Sequence, residues 1–338
     1  MDNMHSIDPS ANGAMPNLDA SGMQNYRLGG DGKHKLTAGV RNILIEHPAF
    51  ASGIRAIRDC HSLGLFQIEE PGRLLIMGVS GSGKSTLRKE YARLHPRRDT
   101  ETGTEIPVLH LELPAQPTIK NVAERILLEL GDPLFNRGSA EVMTARIVTL
   151  LRNCHVELVI LDEFQHFIDR SSEKVETKVA DWLKYLINTT KIPFVLIGLR
   201  RCSRILQSNE QLRRRFCRQI VLEPFPIRNK QELRIFEGLI HSLLDSLPVP
   251  PSDEFIKNRD IIERVHFATY GVMGYIMTLM SAAVQLALDD GLTCINVKLL
   301  ERAFCVAVWP NGRGSLNPFD SRFIKRPLTE REEPFFGY

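Results

Sequence analysis

Leu74-Leu75-Ile76-Met77 runs straight into Gly78-Val79-Ser80-Gly81-Ser82-Gly83-Lys84-Ser85-Thr86, and a helix-compatible stretch follows at once. A short apolar run, then G-x-x-x-x-G-K-S, then a helix fixes three consecutive elements: a buried strand, a tight loop and a helix that starts at the loop. Gly78, Gly81 and Gly83 let the backbone curl so that its N–H groups converge, forming a concave nest for phosphate oxygens. The helix beginning near Lys84 aims the positive end of its dipole at the same anion. In this spacing Lys84 reaches the β- and γ-phosphates and the Ser85 hydroxyl ligates Mg²⁺. The loop therefore points to ATP with Mg²⁺ as the ligands.

A second carboxylate-bearing strand is expected downstream of such a loop. Leu158-Val159-Ile160-Leu161-Asp162-Glu163 supplies it about 80 residues later. Asp162 would complete the metal shell beside Ser85, and Glu163 would orient and polarise the attacking water. Further buried strands are read over 106–113, 193–197 and 220–222, with helices over 84–94, 118–130, 139–151 and 174–189 between them. Strands alternating with helices imply a parallel five-stranded sheet covered on both faces.

Before the first strand, Val40, Ile43, Leu44, Ile45, Phe50, Ile54, Ile57 and Leu63 fit two short helices separated by His47-Pro48. They are expected to pack beside the loop. After Pro224-Phe225-Pro226 the pattern becomes helical, over 229–247, 253–267, 271–289 and 296–307, with breaks at Pro248-Pro250-Pro251 and Gly291. The organisation expected is a flexible arm over 1–32, a nucleotide-binding α/β domain with N-terminal helices over 33–226, a helical lid over 227–308, and an extended tail over 309–338. In that tail Phe319, Phe323, Phe335 and Phe336 would be free to anchor a partner.

The chain has 338 residues, 43% apolar and 25% charged, with a net charge of +3. That balance is ordinary for a globular protein, so any nucleic-acid contact must come from a local patch. The six cysteines are scattered with no C-x-x-C pair, which suits free thiols in a reducing compartment. No apolar run approaches the length of a membrane span and the first twenty residues lack a signal-peptide core, so the expectation is a cytoplasmic protein without membrane contact.

Together these features resemble the AAA+ ATPases, and within them the TniB/TnsC transposition regulators. The resemblance covers roughly 40–308 and rests on His47-Pro48, the loop from Gly78 to Thr86, Ile106-Pro107-Val108, Leu130-Gly131-Asp132-Pro133, Arg215-Phe216, Gly271-x-x-Gly274 and, most specifically, Leu161-Asp162-Glu163-Phe164-Gln165-His166. It implies an ATPase that assembles on double-stranded target DNA as a hexameric or heptameric ring or as a helical filament. Such an assembly links a TniQ-type target selector to the transposase and disassembles on hydrolysis; some family members serve CRISPR-associated transposons. By position the resemblance makes Arg215, with Arg214 as the alternative, an arginine finger acting on the neighbouring subunit's γ-phosphate. It also makes Thr118 and Lys120 phosphate contacts to DNA, with Lys174 and Lys178 as weaker candidates. In two places the chain departs from the AAA+ pattern. Ile197-Gly198-Leu199 offers no polar sensor-one side chain, and Gly271-Val272-Met273-Gly274-Tyr275 offers no sensor-two arginine, so slow, switch-like hydrolysis is expected. The competing reading is a P-loop signalling switch that oligomerises with ATP on a protein cue without DNA.

Overall fold

The computed structural model describes residues 30–65, 72–101, 103–115, 117–169, 173–204 and 210–338. Most of the expected arm, residues 1–29, lies outside them. The central sheet is built from β1 (Arg73–Gly78), β4 (Val108–Glu112), β5 (Leu158–Asp162), β6 (Phe194–Gly198) and β7 (Arg218–Leu222). Its order is β4-β5-β6-β1-β7 and every pairing is parallel. All six residues of β1 are buried, because helices cover both faces and neither face needs polar side chains. The pleat sorts the side chains. Leu75, Met77, Leu111, Leu161 and Leu196 face one cluster with α4 (Ile119–Glu129), α5 (Ala140–Asn153), the short α6 (His166–Asp169) and α7 (Glu173–Thr190). Leu74, Ile76, Ile160 and Ile197 face another with α2 (Pro48–Leu65) and α3 (Lys84–Arg93). Each such aliphatic side chain taken out of water contributes about 1.5–3 kcal/mol.

Between α3 and β4 lies a hairpin that the sequence pattern does not announce, β2 (Arg98–Thr100) paired antiparallel with β3 (Gly103–Glu105). Its residues are polar and largely solvated, so they show no apolar alternation.

The carboxyl-terminal helices Lys230–Leu244, Asp253–Lys257, Arg259–Thr269, Met273–Asp290 and Val297–Ala303 enclose a separate apolar cluster. The helix expected over 253–267 is broken at Asn258, which is extended at φ −98° and ψ 100° and whose side chain caps the next helix at Asp260 N. Two expectations need correction here. The first concerns α1 (Gly30–Arg41): its Val40, and Ile45 just beyond it, join the lid cluster rather than the α/β core. Thr37 Oγ1 donates to Gln285 Oε1 at 2.7 Å, and Lys33 pairs with Asp289 at 3.7 Å.

The second concerns residues 309–338, which are irregular but not a free tail. Phe319, Phe323, Leu328 and Phe335 are buried in the lid cluster. Phe335 stacks on Tyr270 with ring centroids 5.6 Å apart and meets Tyr275 edge-on at 5.2 Å. Only Phe336 of the four phenylalanines remains open, at 63% exposure. All six cysteines are free, with Cys60, Cys154 and Cys202 buried. Among the described residues no single helix is long and apolar enough to cross a membrane.

Candidate nucleotide site

The glycine loop leaves β1 at the carboxyl edge of the sheet, and its backbone demands glycine. Gly81 and Gly83 have φ of 76° and 92°. A Cβ on Gly78 would collide with Ser82 Oγ and come within 2.7 Å of Leu222 O. Gly83 caps α3 without any side-chain hydrogen bond, so the first-turn N–H groups of that helix are open to an anion. Ser82 Oγ is buried without a partner. Lys84 is 5% exposed and its ammonium donates to Gly78 O at 3.2 Å and Val79 O at 2.7 Å, the loop's own carbonyls. Burial pulls the pKa of Lys84 down, and the nearby carboxylates of Glu163 and Asp162 oppose that shift. An orphaned hydroxyl, an uncapped helix start and a buried cation turned inward form a cradle that fits a polyphosphate.

β5 delivers the carboxylates beside it. Asp162 is fully buried; its Oδ1 accepts the Glu163 N–H at 2.8 Å and its Oδ2 accepts Arg88 Nε at 3.1 Å. Arg88 stands four residues after Lys84 on α3 and is itself 5% exposed. It also bonds His110 Nδ1 on β4 at 3.1 Å. Sequence reasoning missed Arg88, although its spacing from Lys84 places both on one face of the helix. Ser85 and Asp162 could hold Mg²⁺, with Asp162 using the lone pairs that Arg88 and Glu163 leave. Among the described residues no cluster of three or more His, Cys, Asp or Glu side chains could bind a metal on its own.

Glu163 has φ of 59°, a left-handed conformation uncommon outside glycine, just past the end of β5. Its Oε2 accepts from Gln165 Nε2 and lies 3.7 Å from His166 Nε2. Gln165 Oε1 in turn accepts the Leu199 N–H at 3.0 Å, at the end of β6 where the sequence shows no polar side chain.

A cleft of about 340 Å³ opens beside Gly83 and Thr86 and is lined by Ile43, Leu44, His47, Met273 and Met277. These residues come from the link between α1 and α2 and from the lid, and Arg41, Asn42, Lys89, Glu90 and Arg93 share the lining, a mixed apolar and polar setting with room for a nucleobase next to the phosphate cradle. The sequence pointed to this region without naming residues. A second recess of about 290 Å³ brings Val79 and Ser80 together with Arg200, Arg201 and Tyr338, so the carboxyl-terminal segment reaches the loop.

Not every expected site residue gathers here. Arg213, Arg214 and Arg215 end the short helix Glu210–Arg215. Arg215 is half-buried and donates to Asn188 Oδ1 on α7 rather than to the loop of its own chain. Thr118 and Lys120 are exposed at the start of α4, remote in sequence from the loop. Thr118 is the N-cap: its hydroxyl oxygen accepts Asn121 N–H at 3.2 Å and its own N–H donates to Asn121 Oδ1 at 2.7 Å. Lys174 and Lys178 both fall on α7, and Lys178 is exposed.

Comparison with known proteins places the fold. Over 131 residues the chain is 27% identical to ORC1-type DNA replication protein 2 of Sulfurisphaera tokodaii. That match takes in 37% of this chain and 31% of the relative, so the chain spans about a third of the length of the curated protein it matches. Among solved structures it is similar to Cdc6p from Pyrobaculum aerophilum, with TM-score 0.57 at 14% identity over 78% of this chain and 69% of that one. It is also similar to the Aeropyrum pernix ORC1 protein in complex with DNA, with TM-score 0.54 at 15% identity over 78% and 66% of the two chains. These likenesses show a P-loop AAA+ core with a carboxyl-terminal helical domain. The family model described as "Bacterial TniB protein" matches residues 44–225, more than half of the chain and the stretch from the link before α2 through the loop to β7. The chain therefore belongs to the TniB family and carries the AAA+ ATPase fold.

Proposed function

We propose that this protein is an ATP-dependent DNA-binding regulator of transposition. It assembles head-to-tail on double-stranded target DNA as a ring or filament, links a TniQ-type target selector to the transposase, and leaves when ATP is hydrolysed. The observation that carries the reading is the convergence of Lys84, the uncapped start of α3 and the Asp162–Glu163 pair at one sheet edge of a TniB-family chain.

In this reading the ATP phosphates take the place of the Gly78 and Val79 carbonyls on Lys84. Mg²⁺, when bound with the nucleotide, neutralises charge on the phosphoryl oxygens. Glu163 then accepts hydrogen bonding from the attacking water and aligns it with the γ-phosphorus. Arg215 of one subunit serves the neighbour's γ-phosphate, with Arg214 as the alternative. Its partner Asn188 is neutral and no carboxylate pairs with it among the described residues, which leaves the guanidinium charge for that task. A site shared between subunits requires a heterologous interface, which closes into rings or continues as filaments. Loss of the γ-phosphate removes the bridge between subunits, so hydrolysis loosens the assembly. Hydrolysis is slow, as a switch requires.

For DNA, Thr118 and Lys120 contact phosphates without reading bases. The Thr118 oxygen accepts from Asn121, so its O–H proton stays free to donate to a phosphate. The apolar side chain of Phe336 is left open for a protein partner.

The test is ATP hydrolysis by the wild type, Lys84→Ala and Glu163→Gln, with and without duplex DNA. Wild-type turnover that is lost in Glu163→Gln with ATP binding kept, and lost in Lys84→Ala together with binding, supports the reading. Turnover unchanged in both variants refutes it.

A further inference from the structure

Gly198 ends β6 without a side chain, and the room above it is filled by Cys202 Sγ and by Gln165 from the turn after β5. A Cβ at Gly198 would come within 2.6 Å of Gln165 Oε1. Gln165 is 3% exposed, and both ends of its amide are engaged. The oxygen takes the Leu199 N–H at 3.0 Å, with Cys202 Sγ at 3.9 Å, and the nitrogen donates to Glu163 Oε2. The orientation of this amide is fixed by chemistry. A backbone N–H can only donate and a carboxylate can only accept, so the oxygen must face Leu199 and the NH₂ must face Glu163.

We infer that Gln165 is the positioning residue for Glu163: its amide pins the carboxylate to the carboxyl end of β6 and does there what a polar side chain on that strand would otherwise do. The inference rests on the proposed hydrolytic role of this site. Glu163 sits at φ 59°, and among the described residues its carboxylate has, besides Gln165, only the His166 ring nearby, at 3.7 Å. One carboxylate oxygen is occupied by Gln165, which leaves Oε1 for water. The Leu199 end of the tether opens into the turn Arg200–Cys202, and Leu199, Arg200 and Arg201 line the recess that also holds Val79 and Ser80. Gln165 thus joins the carboxylate to the segment that borders the loop from the far side.

The experiment is single-turnover and steady-state ATP hydrolysis by the full chain carrying Gln165→Leu, Gln165→Glu, Glu163→Gln or the Gln165→Leu/Glu163→Gln pair, with Lys84→Ala as the reference for lost binding. Gln165→Glu keeps the acceptor for Leu199 and the shape of the side chain, and replaces only the donor to Glu163, so it serves if Gln165→Leu does not fold. The expected result is a kcat about ten- to a hundredfold lower in either Gln165 variant, with KM for ATP within about twofold of wild type. The double variant should hydrolyse no more slowly than Glu163→Gln alone, because Gln165 acts through that carboxylate. An unchanged kcat, a rise in KM alone, or an equal further loss in the Glu163→Gln background overturns the inference. If Glu163→Gln and Lys84→Ala themselves leave hydrolysis intact, it is the hydrolytic reading of the site that has failed.

Discussion

The backbone N–H of Gly274 donates to the carbonyl oxygen of Gly81 at 2.8 Å. Gly274 lies in the first turn of the lid helix Met273–Asp290, where an N–H has no partner within its own helix. The middle of the phosphate loop supplies that partner, so the lid is latched to the loop backbone to backbone. A Cβ on Gly274 would meet Gly81 Cα at 2.9 Å and Gly81 O at 3.1 Å, both main-chain atoms that cannot swing aside. Gly274→Ala must therefore shift the lid or the loop, at a cost of about 1–3 kcal/mol. The expected outcome is an ATP dissociation constant raised about five- to a hundredfold, measured by titration with a fluorescent analogue. Gly238→Ala, which meets nothing within 4 Å, should leave that constant unchanged.

Arg88 and Asp162 form an ion pair in which the two side chains are 7% and 0% exposed. Removing one partner strands a buried charge, so Arg88→Met should lower folding stability by about 3–5 kcal/mol in urea denaturation. The exposed Arg93, paired with Glu90 one turn away, is the contrast. Arg93→Met should change stability by less than about 1 kcal/mol.

Phe335 is fully buried between Tyr270 and Tyr275, whereas its neighbour Phe336 is open. Phe335→Ala should cost about 3–5 kcal/mol and Phe336→Ala about 0.5 kcal/mol or less. Equal, small effects from both would mean that residues 309–338 do not pack on the lid in solution.

His266 Nε2 donates to Phe225 O at 2.7 Å, so the buried Nδ1 carries the lone pair and has no partner. Burial lowers the pKa of His266 from 6.5, and burial likewise lowers those of His47, His95 and His110. The unfolded chain then binds more protons than the folded one just below pH 6.5, so stability rises with pH in that window. The contribution of these histidines to folding stability should be complete above about pH 7 and be lost as the pH drops below 6.5. By NMR the His266 ring should titrate at lower pH than an unburied imidazole.

The phosphate loop, Asp162-Glu163 and the buried strands were legible because their constraints are local, whereas β7 starts at the exposed Arg218-Gln219 and only its apolar end was read. A strand buried on both faces must be continuously apolar, and a phosphate cradle must be glycine-rich. What stayed hidden depends on pairings distant in sequence. The apolar side of α1 shows that the helix is covered but not by what, and it joins the lid helix at Gln285 and Asp289 rather than the sheet. The aromatic residues beyond 309 lack periodicity, which rightly excludes a helix but says nothing about burial. Gln165 belongs to the motif that most specifically carries the resemblance, but what its amide holds shows only once the fold sets Leu199 against it. The Arg98–Glu105 hairpin is polar throughout and carries no burial pattern to read.

In its triphosphate state, and in no other, this protein is expected to assemble on duplex DNA. Anisotropy and electron microscopy with ATP, a non-hydrolysable analogue, ADP and no nucleotide read this out. DNA coated or encircled only with the triphosphate is the expected result. Assembly should be abolished in Lys84→Ala and prolonged in Glu163→Gln. Deleting one phosphate-binding charge, as in Lys120→Ala, should flatten the salt dependence of log K by about 0.9. ATP-driven oligomers that bind no DNA in any nucleotide state would refute the transposition reading, and would leave a P-loop switch that assembles on a protein cue.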